Sequence, residues 1–590
     1  MKRFAPWLTL LIPLIIWAFA GYWFGTNISL GYFGGSLFWS SLVIVELLII
    51  GVILYCDDTT IVPVVVVGVI VVLANVIGLV AGTPLFQANN AYQQLGEVEE
   101  SSFTDSIVPI DNTQIPTVDA DLALKQAEKK LGEEPGLGSI VDVGEFTLQQ
   151  VDGKLTFVAP LEHSGMWKYF DNKTTPGYIT VSATDPDDVQ LVQELDGKEI
   201  KLRYLETACF GDKLLRHIRN SGYRTTGLTD MSFELDESGR PYWTVTTYEN
   251  TAFWGLPEAN GVLVCDAQTG ECELYSIDEA PEWIDKVQPE EFIDNQIDNY
   301  GDYVKGFWNS IFGKNGVINK TPGLLTVYNN GECYYYTGMT SVGNDDATTG
   351  FLMVNTRTKE AKFFQMAGAT EESAQASAEG KIQEKGYNAT LPVPINVQGI
   401  PTYFMTLKDK SGLIKAYAMV NIENYSIVAT GESIDQVQQA YIDAMLANGN
   451  DAVIGTNEAY SYSVEGTVTR ISANISGGNT VYYMIINGDT TKLYVAASKL
   501  SSELPITREG DNVKISYIDD SNGTVNVSKF DNLDFTQEKS EEQQQKDEQS
   551  AEEGVSEDDT NKIYEVDPEK SEKEWDSLTD EEKAKLLEEQ

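Results

Sequence analysis

Three long apolar stretches lead the chain, at 5–24, 37–56 and 61–82, and the only charges in the first 82 residues are Lys2, Arg3, Glu46, Asp57 and Asp58. A helix of about 20 residues rises about 30 Å, the thickness of a bilayer core, so the pattern predicts three transmembrane helices forming a membrane anchor. After residue 82 short amphipathic runs alternate with aromatic and β-branched strands, which predicts an α+β fold. The chain ends in a polar, acidic stretch, 537–590, with 21 acidic and seven basic residues. Its composition predicts an acidic disordered tail (536–590), with a short helix near Ser577 capped by Thr579.

Lys2 and Arg3 favour a cytoplasmic N-terminus, and three crossings then place everything after Gly82 outside the cytoplasm. Ala18-Phe19-Ala20 also offers a signal-peptidase site; cleavage there leaves two spans and the same location for the large domain. Glu46 falls near the middle of the second span, where a carboxylate is costly unless protonated or paired. Asn75, on the antiparallel third span, is expected at a comparable depth as its hydrogen-bond partner. This intramembrane pair reads as glue within the anchor or as a route to a homo-oligomer through the transmembrane helices. An ion pathway centred on Glu46 is the weaker alternative.

Between 83–117, read as a linker, and residue 433 the chain repeats a pattern four times. Each unit has an amphipathic helix, a glycine turn, an aromatic-rich strand, and a strand closing in a polar turn. The turn glycines are Gly153, Gly239, Gly331 and Gly399, and the aligned hydroxyls are Thr184, Thr269, Thr358 and Ser426, separated by 31, 30, 27 and 27 positions. The helices are predicted at 121–131, 212–221, 289–300 and 370–385, each ending at or near a glycine (Gly132, Gly222, Gly301, Gly386), with Thr370 and Asp212 as N-caps. Residues 433–460 read as a connecting helix and linker. Five alternating strands between 461 and 535 predict a small OB-like β-barrel.

The segment Val264-Cys265-Asp266-Ala267-Gln268-Thr269-Gly270-Glu271, after a helix and a Gly-x-Pro-aromatic strand, resembles the closing turn of PepSY-type domains. The third unit keeps Thr358 but has Lys359 where that turn has glycine, and the first unit is the most divergent. The resemblance spans 118–432 and implies four PepSY-like α+β repeats. It also implies an extracytoplasmic, membrane-associated protein that binds or inhibits other proteins, peptidases among them.

Composition narrows the chemistry. The chain has 41 Lys+Arg against 89 Asp+Glu, a net charge of −48, with two His and five Cys. Such a polyanion repels phosphate backbones, so no nucleic-acid partner is expected. Nucleophile-elbow, P-loop, dinucleotide, His-Glu-x-x-His and Cys-x-x-Cys motifs are lacking, and His163 and His217 belong to different units. No catalytic residue, cofactor or metal is therefore expected. Asp185, Asp187 and Asp188, like Asp345 and Asp346, read as solvated turns rather than calcium ligands. Cys265 and Cys272 flank the best-matching hairpin turn, either as a cross-strand disulfide or as two thiols. Trp167 and Trp254 are candidate interaction aromatics.

The sequence thus points to a non-enzymatic, integral multi-pass membrane protein with a large extracytoplasmic C-terminal region. Its expected partners are the lipid bilayer and another envelope protein. The alternative from a different class is a cell-wall or carbohydrate-binding surface protein using the aromatics and the barrel.

Overall fold

The structure, a computed structural model, describes residues 9–56, 60–107, 115–134, 136–151, 153–329, 331–397, 399–448, 461–476, 479–498, 500–519 and 524–535. The acidic tail from 536, its short helix and the 449–460 link lie outside the described residues.

After the N-terminal helices come four sheets in chain order, each built on an antiparallel meander, the third with one added parallel edge strand. In the second sheet the strands are Gly227–Leu235, Pro241–Ala252, Gly255–Asp266 and Cys272–Ser276. In the other three the opening strand is broken into two pieces that pair in turn with the second strand: Val141–Val143 and Thr147–Val151, Ile318–Lys320 and Leu325–Asn329, Asn388–Ala389 and Val393–Val397. A helix precedes each sheet: Ala120–Gly132, Leu214–Asn220, Glu290–Asp302 and Glu371–Lys381. Leu122 and Ala127 meet Phe157 and Ile179 in the first unit, and Ile293 and Ile297 meet Tyr335 and Leu352 in the third.

The four units repeat at the level of single hydrogen bonds. Gly153, Gly239, Gly331 and Gly399 all sit at φ between +75° and +83°, where a side chain is strained. At the far end of the third strand Ser182, Asp266, Asn355 and Asn421 each turn a side-chain oxygen onto backbone N–H groups ahead of them. Gln268 and Thr269 donate to Asp266 at 2.8 and 2.7 Å, and Arg357 and Thr358 donate to Asn355 at 2.9 and 3.0 Å. Asp185 donates to Ser182 at 3.2 Å and Asn424 to Asn421 at 2.6 Å. The next residue (Ala183, Ala267, Thr356, Ile422) donates to the carbonyl two positions after the turn glycine, on Leu155, Pro241, Cys333 and Pro401. Its own carbonyl accepts from the segment leading to that unit's helix, at Thr117 and Val118, Arg203 and Tyr204, Val287 and Gln288, and Ala369. One side-chain cap per unit thus fixes both hairpin and helix entry.

Several expected details differ. Asp212 is not an N-cap: it accepts from Tyr169 at 2.9 Å and pairs with Arg203 at 3.1 Å, drawn away by stronger partners, and the helix starts at Leu214. Gly301 is the penultimate residue of its helix and serves a second purpose: a Cβ there would stand 2.2 Å from the Ile318 carbonyl of the adjoining strand. The described residues of 83–117 do not form a loose linker. Pro84–Gln93 is a helix, Val98–Ser101 pairs in parallel with Ala361–Ala369 at the third sheet's edge, and Leu95, Phe103, Ile107 and Ile115 are buried in the third and fourth units. The connecting helix, Ile434–Ala447, packs Val437, Tyr441 and Met445 on the fourth sheet, on the face opposite Ala374 and Ala378. The last five strands close a barrel in the order first, second, third, fifth, fourth, with the third and fifth parallel.

Near the N-terminus are α1 (Leu11–Trp23), α2 (Phe33–Cys56) and α3 (Val62–Ala81). The latter two are long and apolar enough to cross a membrane, and most of their side chains face outward. The described part of α1 is 13 residues, shorter than the expected span, and packs on α2 through the Trp17 indole, which donates to the Phe38 carbonyl at 3.1 Å. Asn75 does not reach Glu46. It accepts from Ser36 at 3.0 Å and donates to Ser40 at 2.8 Å, because the hairpin register sets residue 75 opposite 36 and 40. Glu46 lies six residues beyond Ser40, roughly 9 Å along the axis, with Oε1 buried and unpartnered.

The ends of these helices dock onto the second unit. Arg216 donates to the Trp23 carbonyl at 3.1 Å and lies over its ring at 4.7 Å, while Arg219 donates to the Gly25 carbonyl at 3.1 Å. Ile28 N–H bonds the Arg224 carbonyl, and the Tyr32 hydroxyl donates to Tyr248 at 2.6 Å while accepting from Gly227 at 3.0 Å. The tip of the hairpin between Pro241–Ala252 and Gly255–Asp266 presses on α3. A Cβ on Gly78 would meet the Trp254 ring at 2.7 Å, and Gly82 and Gly255 face one another without room for side chains.

Lys359 takes φ +66° where the second unit has Gly270 at +79°, and its ammonium bonds Glu258 and the Gln94 carbonyl. Replacing it with methionine removes a charged contact of about 1.5–3 kcal/mol and keeps the backbone strain. Replacing it with glycine removes both, and the strain is worth about 1–2 kcal/mol. K359G is therefore expected to unfold at lower denaturant than wild type but above K359M; a K359G midpoint at or below that of K359M contradicts this.

Candidate functional site

A polar cavity of about 480 Å³ lies between the first three units. It is lined by the loop and strand 143–148, the strand carrying Glu162, Glu206, the edge strand Gly227–Leu235, and Lys286, Glu290 and Tyr335 from the third unit. Five carboxylates (Glu145, Glu162, Glu206, Asp230 and Glu290) face it together with one lysine.

Asp230 marks where the second unit departs from its siblings. Their opening strands break; here the strand continues through a bulge. Val245 pairs with Met231 and Thr246 with Thr229, so Asp230 is the extra residue, held at φ +47°. That bulge turns its carboxylate into the cleft, at a modest cost in backbone strain. Gly144 donates to the Pro160 carbonyl at 2.9 Å, and a Cβ on it would collide with Pro160, so the cleft's rim is glycine for lack of space.

Burial dominates the electrostatics. Desolvation, then the nearby Glu206 charge, pushes Glu162 up to about 7. Desolvation also raises Asp230, Asp285 and Glu290, each opposed by the positive charge of Lys286. Behind the cleft, Glu234 accepts from Thr244 at 2.7 Å through one oxygen while the other is buried without a partner; burial pushes it up to about 8. Asp285 ties units together by accepting from Gln150 at 2.6 Å and from Tyr328 at 3.2 Å. Gln149 does the same across the two sheet edges, donating to the Leu235 carbonyl at 2.6 Å and accepting its N–H at 2.9 Å. The result is a rigid anionic slot between two edge strands. Among the described residues no cluster of three or more His, Cys, Asp or Glu is arranged to hold a metal ion.

The residues singled out from sequence lie elsewhere. Cys265 and Cys272 are register partners joined by a disulfide, S–S 2.03 Å, on the far hairpin of the second sheet. His217 donates from Nε2 to the Gly270 carbonyl of that hairpin at 2.7 Å, and Tyr204 stacks on its ring at 3.9 Å. His163 is buried, with Nε2 against the Asn172 carbonyl at 3.0 Å; desolvation lowers its pKa. Trp254 is occupied by the helices: its indole donates to the Leu30 carbonyl at 2.9 Å and its ring lies 5.5 Å from Phe33. Trp167 is solvent-facing. Asp185 accepts from the Asp187 N–H at 3.0 Å, closing a turn.

The cleft's own residues escaped the sequence reading because they come from separate segments. The available signal was a carboxylate at an interior position of an otherwise alternating strand, as at Asp230, or ending an aromatic strand, as at Glu162.

Neither a scan against family models nor a search of curated proteins finds a match. Among solved structures, a crystal structure of an ACO/RPE65 chimera aligns over 50% of this chain and 51% of its own, at 9% identity and a TM-score of 0.13, so the chain spans about half of that protein. A likeness at that level carries no argument about fold or activity.

Glu234 sets a pH dependence. A carboxyl raised from 4.5 to about 8 favours the folded state while protonated, so its contribution is whole below pH 4.5 and lost as pH rises through 8. E234Q is expected to be more stable than wild type at pH 9, by at least about 1.4 kcal/mol, one unit's worth, and close to it at pH 4. Denaturation of both proteins at the two pH values checks this; a difference that does not depend on pH contradicts it.

Proposed function

We propose that the chain is a membrane-anchored, non-enzymatic, extracytoplasmic protein whose repeated α+β units bind another envelope protein. In this reading the acidic cleft receives a basic, extended segment of that partner. The observation that carries it is the slot itself: five carboxylates against one ammonium, walled by two edge strands and braced by Gln149 and Asp285. A site of that charge attracts lysine or arginine side chains, and an exposed strand edge suits an extended backbone.

The arrangement of the helices supports three crossings. The end of α1, the start of α2 and the end of α3 all meet the second unit, and in this reading the other ends of the three helices lie on the far side of the bilayer. The shared caps of the four units support a PepSY-like array. The barrel's strand order, with its third and fifth strands parallel, supports an OB-like module. The cell-wall alternative loses one of its two aromatics, since Trp254 is engaged with the helices.

Binding is tested with the full chain in lipid nanodiscs and two fluorescent peptides, one alternating lysine and valine, the other glutamate and valine. The basic peptide is expected to bind, and binding should weaken about tenfold, or about 1.4 kcal/mol, in the E162Q/E206Q double variant. Because Glu162 loses its proton near pH 7, affinity should be higher at pH 8 than at pH 6. Equal affinity for both peptides, or no effect of the double variant, sinks the proposal. Protease shaving of intact cells tests the location separately: cleavage within 83–535 is expected, and complete protection contradicts it.

A further inference from the structure

Two exposed aromatic patches on the folded domain are explained by neither the cleft nor the packing of the units. The first is on the short helix Met166–Asp171 and the neighbouring turn. Trp167 is 75% exposed, and Met166, Phe170 and Phe210 are also exposed. Rings join them end to end: Trp167 to Phe170 at 6.1 Å, Phe170 to Phe210 at 6.1 Å, and Phe210 to Trp23, at the end of α1, at 5.9 Å. The second follows the helix Glu290–Asp302. Trp308 is exposed, Phe312 is 77% exposed, and the two stack at 5.9 Å. Phe307 links them back to Tyr303, which packs against Ala91, Ala252 and Leu256, beside the end of α3.

Each patch is therefore continuous with the ectodomain end of a different anchor helix. Local charge runs against that of the chain: residues 303–316 hold Lys305 and Lys314 and no acidic residue. Beside the first patch are Lys168 and Lys213, with Arg216 and Arg219 against α1. Aromatic side chains flanked by basic ones, at the level where helices leave the hydrocarbon, match the chemistry of phospholipid headgroups and the upper acyl chains. An aqueous setting would leave these clustered large rings wet.

We propose that the bilayer surface is the partner of both patches: Trp167, Phe170 and Phe210 on one side of the anchor, and Trp308 and Phe312 on the other, insert into the interfacial layer. The ectodomain then lies on the membrane at fixed height and tilt, held at two points besides its helices. This rests on α2 and α3 spanning the membrane, and the experiment separates the two ideas.

The full chain is placed in nanodiscs of three parts phosphatidylcholine to one part phosphatidylglycerol, with or without bromine on the upper acyl chains. Tryptophan emission is recorded for wild type and for W167F, W308F, W39F and W283F, so that each subtraction reports one indole. Trp39 reports the anchor and Trp283, on the second unit, reports the water side. The proposal expects the Trp167, Trp308 and Trp39 signals each to fall at least twofold in brominated discs, and the Trp283 signal to stay unchanged. If Trp39 is quenched while Trp167 and Trp308 are not, the lipid contact is overturned and the span stands. If Trp39 is unquenched, the span reading fails and takes this proposal with it. Should Trp167 and Trp308 instead be shielded from acrylamide only as protein concentration rises, the patches join copies of the chain, and the proposal is likewise overturned. Trp167, Trp308 and Trp39 are exposed, and at the half-buried Trp283 phenylalanine keeps a ring against Tyr242, so each variant is expected to fold, and near-ultraviolet circular dichroism checks it.

Discussion

The last carbonyls of an α-helix have no partners within it, and at the end of α1 two arginines from the second unit supply them. Arg216 and Arg219 lie largely buried and direct their guanidinium donors at Trp23, Gly25 and the neighbouring loop. A buried guanidinium is costly unless its donors are used, and a helix C-terminus welcomes positive charge, so each partner satisfies the other. Desolvation pulls Arg219 down to about 10, which leaves it charged at neutral pH. Around this contact the Tyr32 hydroxyl, the Trp254 indole and the facing glycines 82 and 255 complete the joint. The second unit sits on its helices as a fitted part.

The other units inherit that fixed position. The chain leaves α3 as Pro84–Gln93 and passes through the third unit as an added parallel strand. It buries Ile115 in the fourth before the first unit begins. Asp285, Tyr328 and Gln149 then link first, second and third units where their sheet edges converge. The acidic cleft is a product of this convergence: no unit contains it. A unit that kept an unbroken opening strand had to absorb its extra residue somewhere, and the bulge at Asp230 turns that residue to use.

Much of the repeat was legible because its signals are local. A glycine at positive φ, an aromatic strand and a hydroxyl or amide that caps the next turn are all written within about thirty positions. Even the exception was visible, since Lys359 occupies the glycine's place and keeps its left-handed backbone. Non-local determinants were not legible. Gly301 stands near a helix stop but is also a clearance for Ile318, Asp212 resembles a cap but is claimed by Tyr169 and Arg203, and Leu95, Phe103, Ile107 and Ile115 are buried by the third and fourth units, far from them in sequence. The partner expected for Glu46 was wrong by six residues because hairpin register depends on packing, which composition does not report. The cleft lies at the far limit: its carboxylates are scattered from Glu145 to Glu290 and meet only through the packing of three sheets.

The segment between α1 and α2 is held by the second unit rather than looping free. Hydrogen–deuterium exchange of the full chain in nanodiscs measures this directly, at the amide of Ile28 and its neighbours in 24–32. Because Ile28 N–H is bonded to the Arg224 carbonyl and the surrounding loop is pinned by two arginines and Tyr32, these amides are expected to exchange as slowly as those of Pro241–Ala252. Protection should also fall in both segments together when Arg216 and Arg219 are replaced by methionine. Exchange in 24–32 at the rate of an open chain, with the strands still protected, would contradict the account.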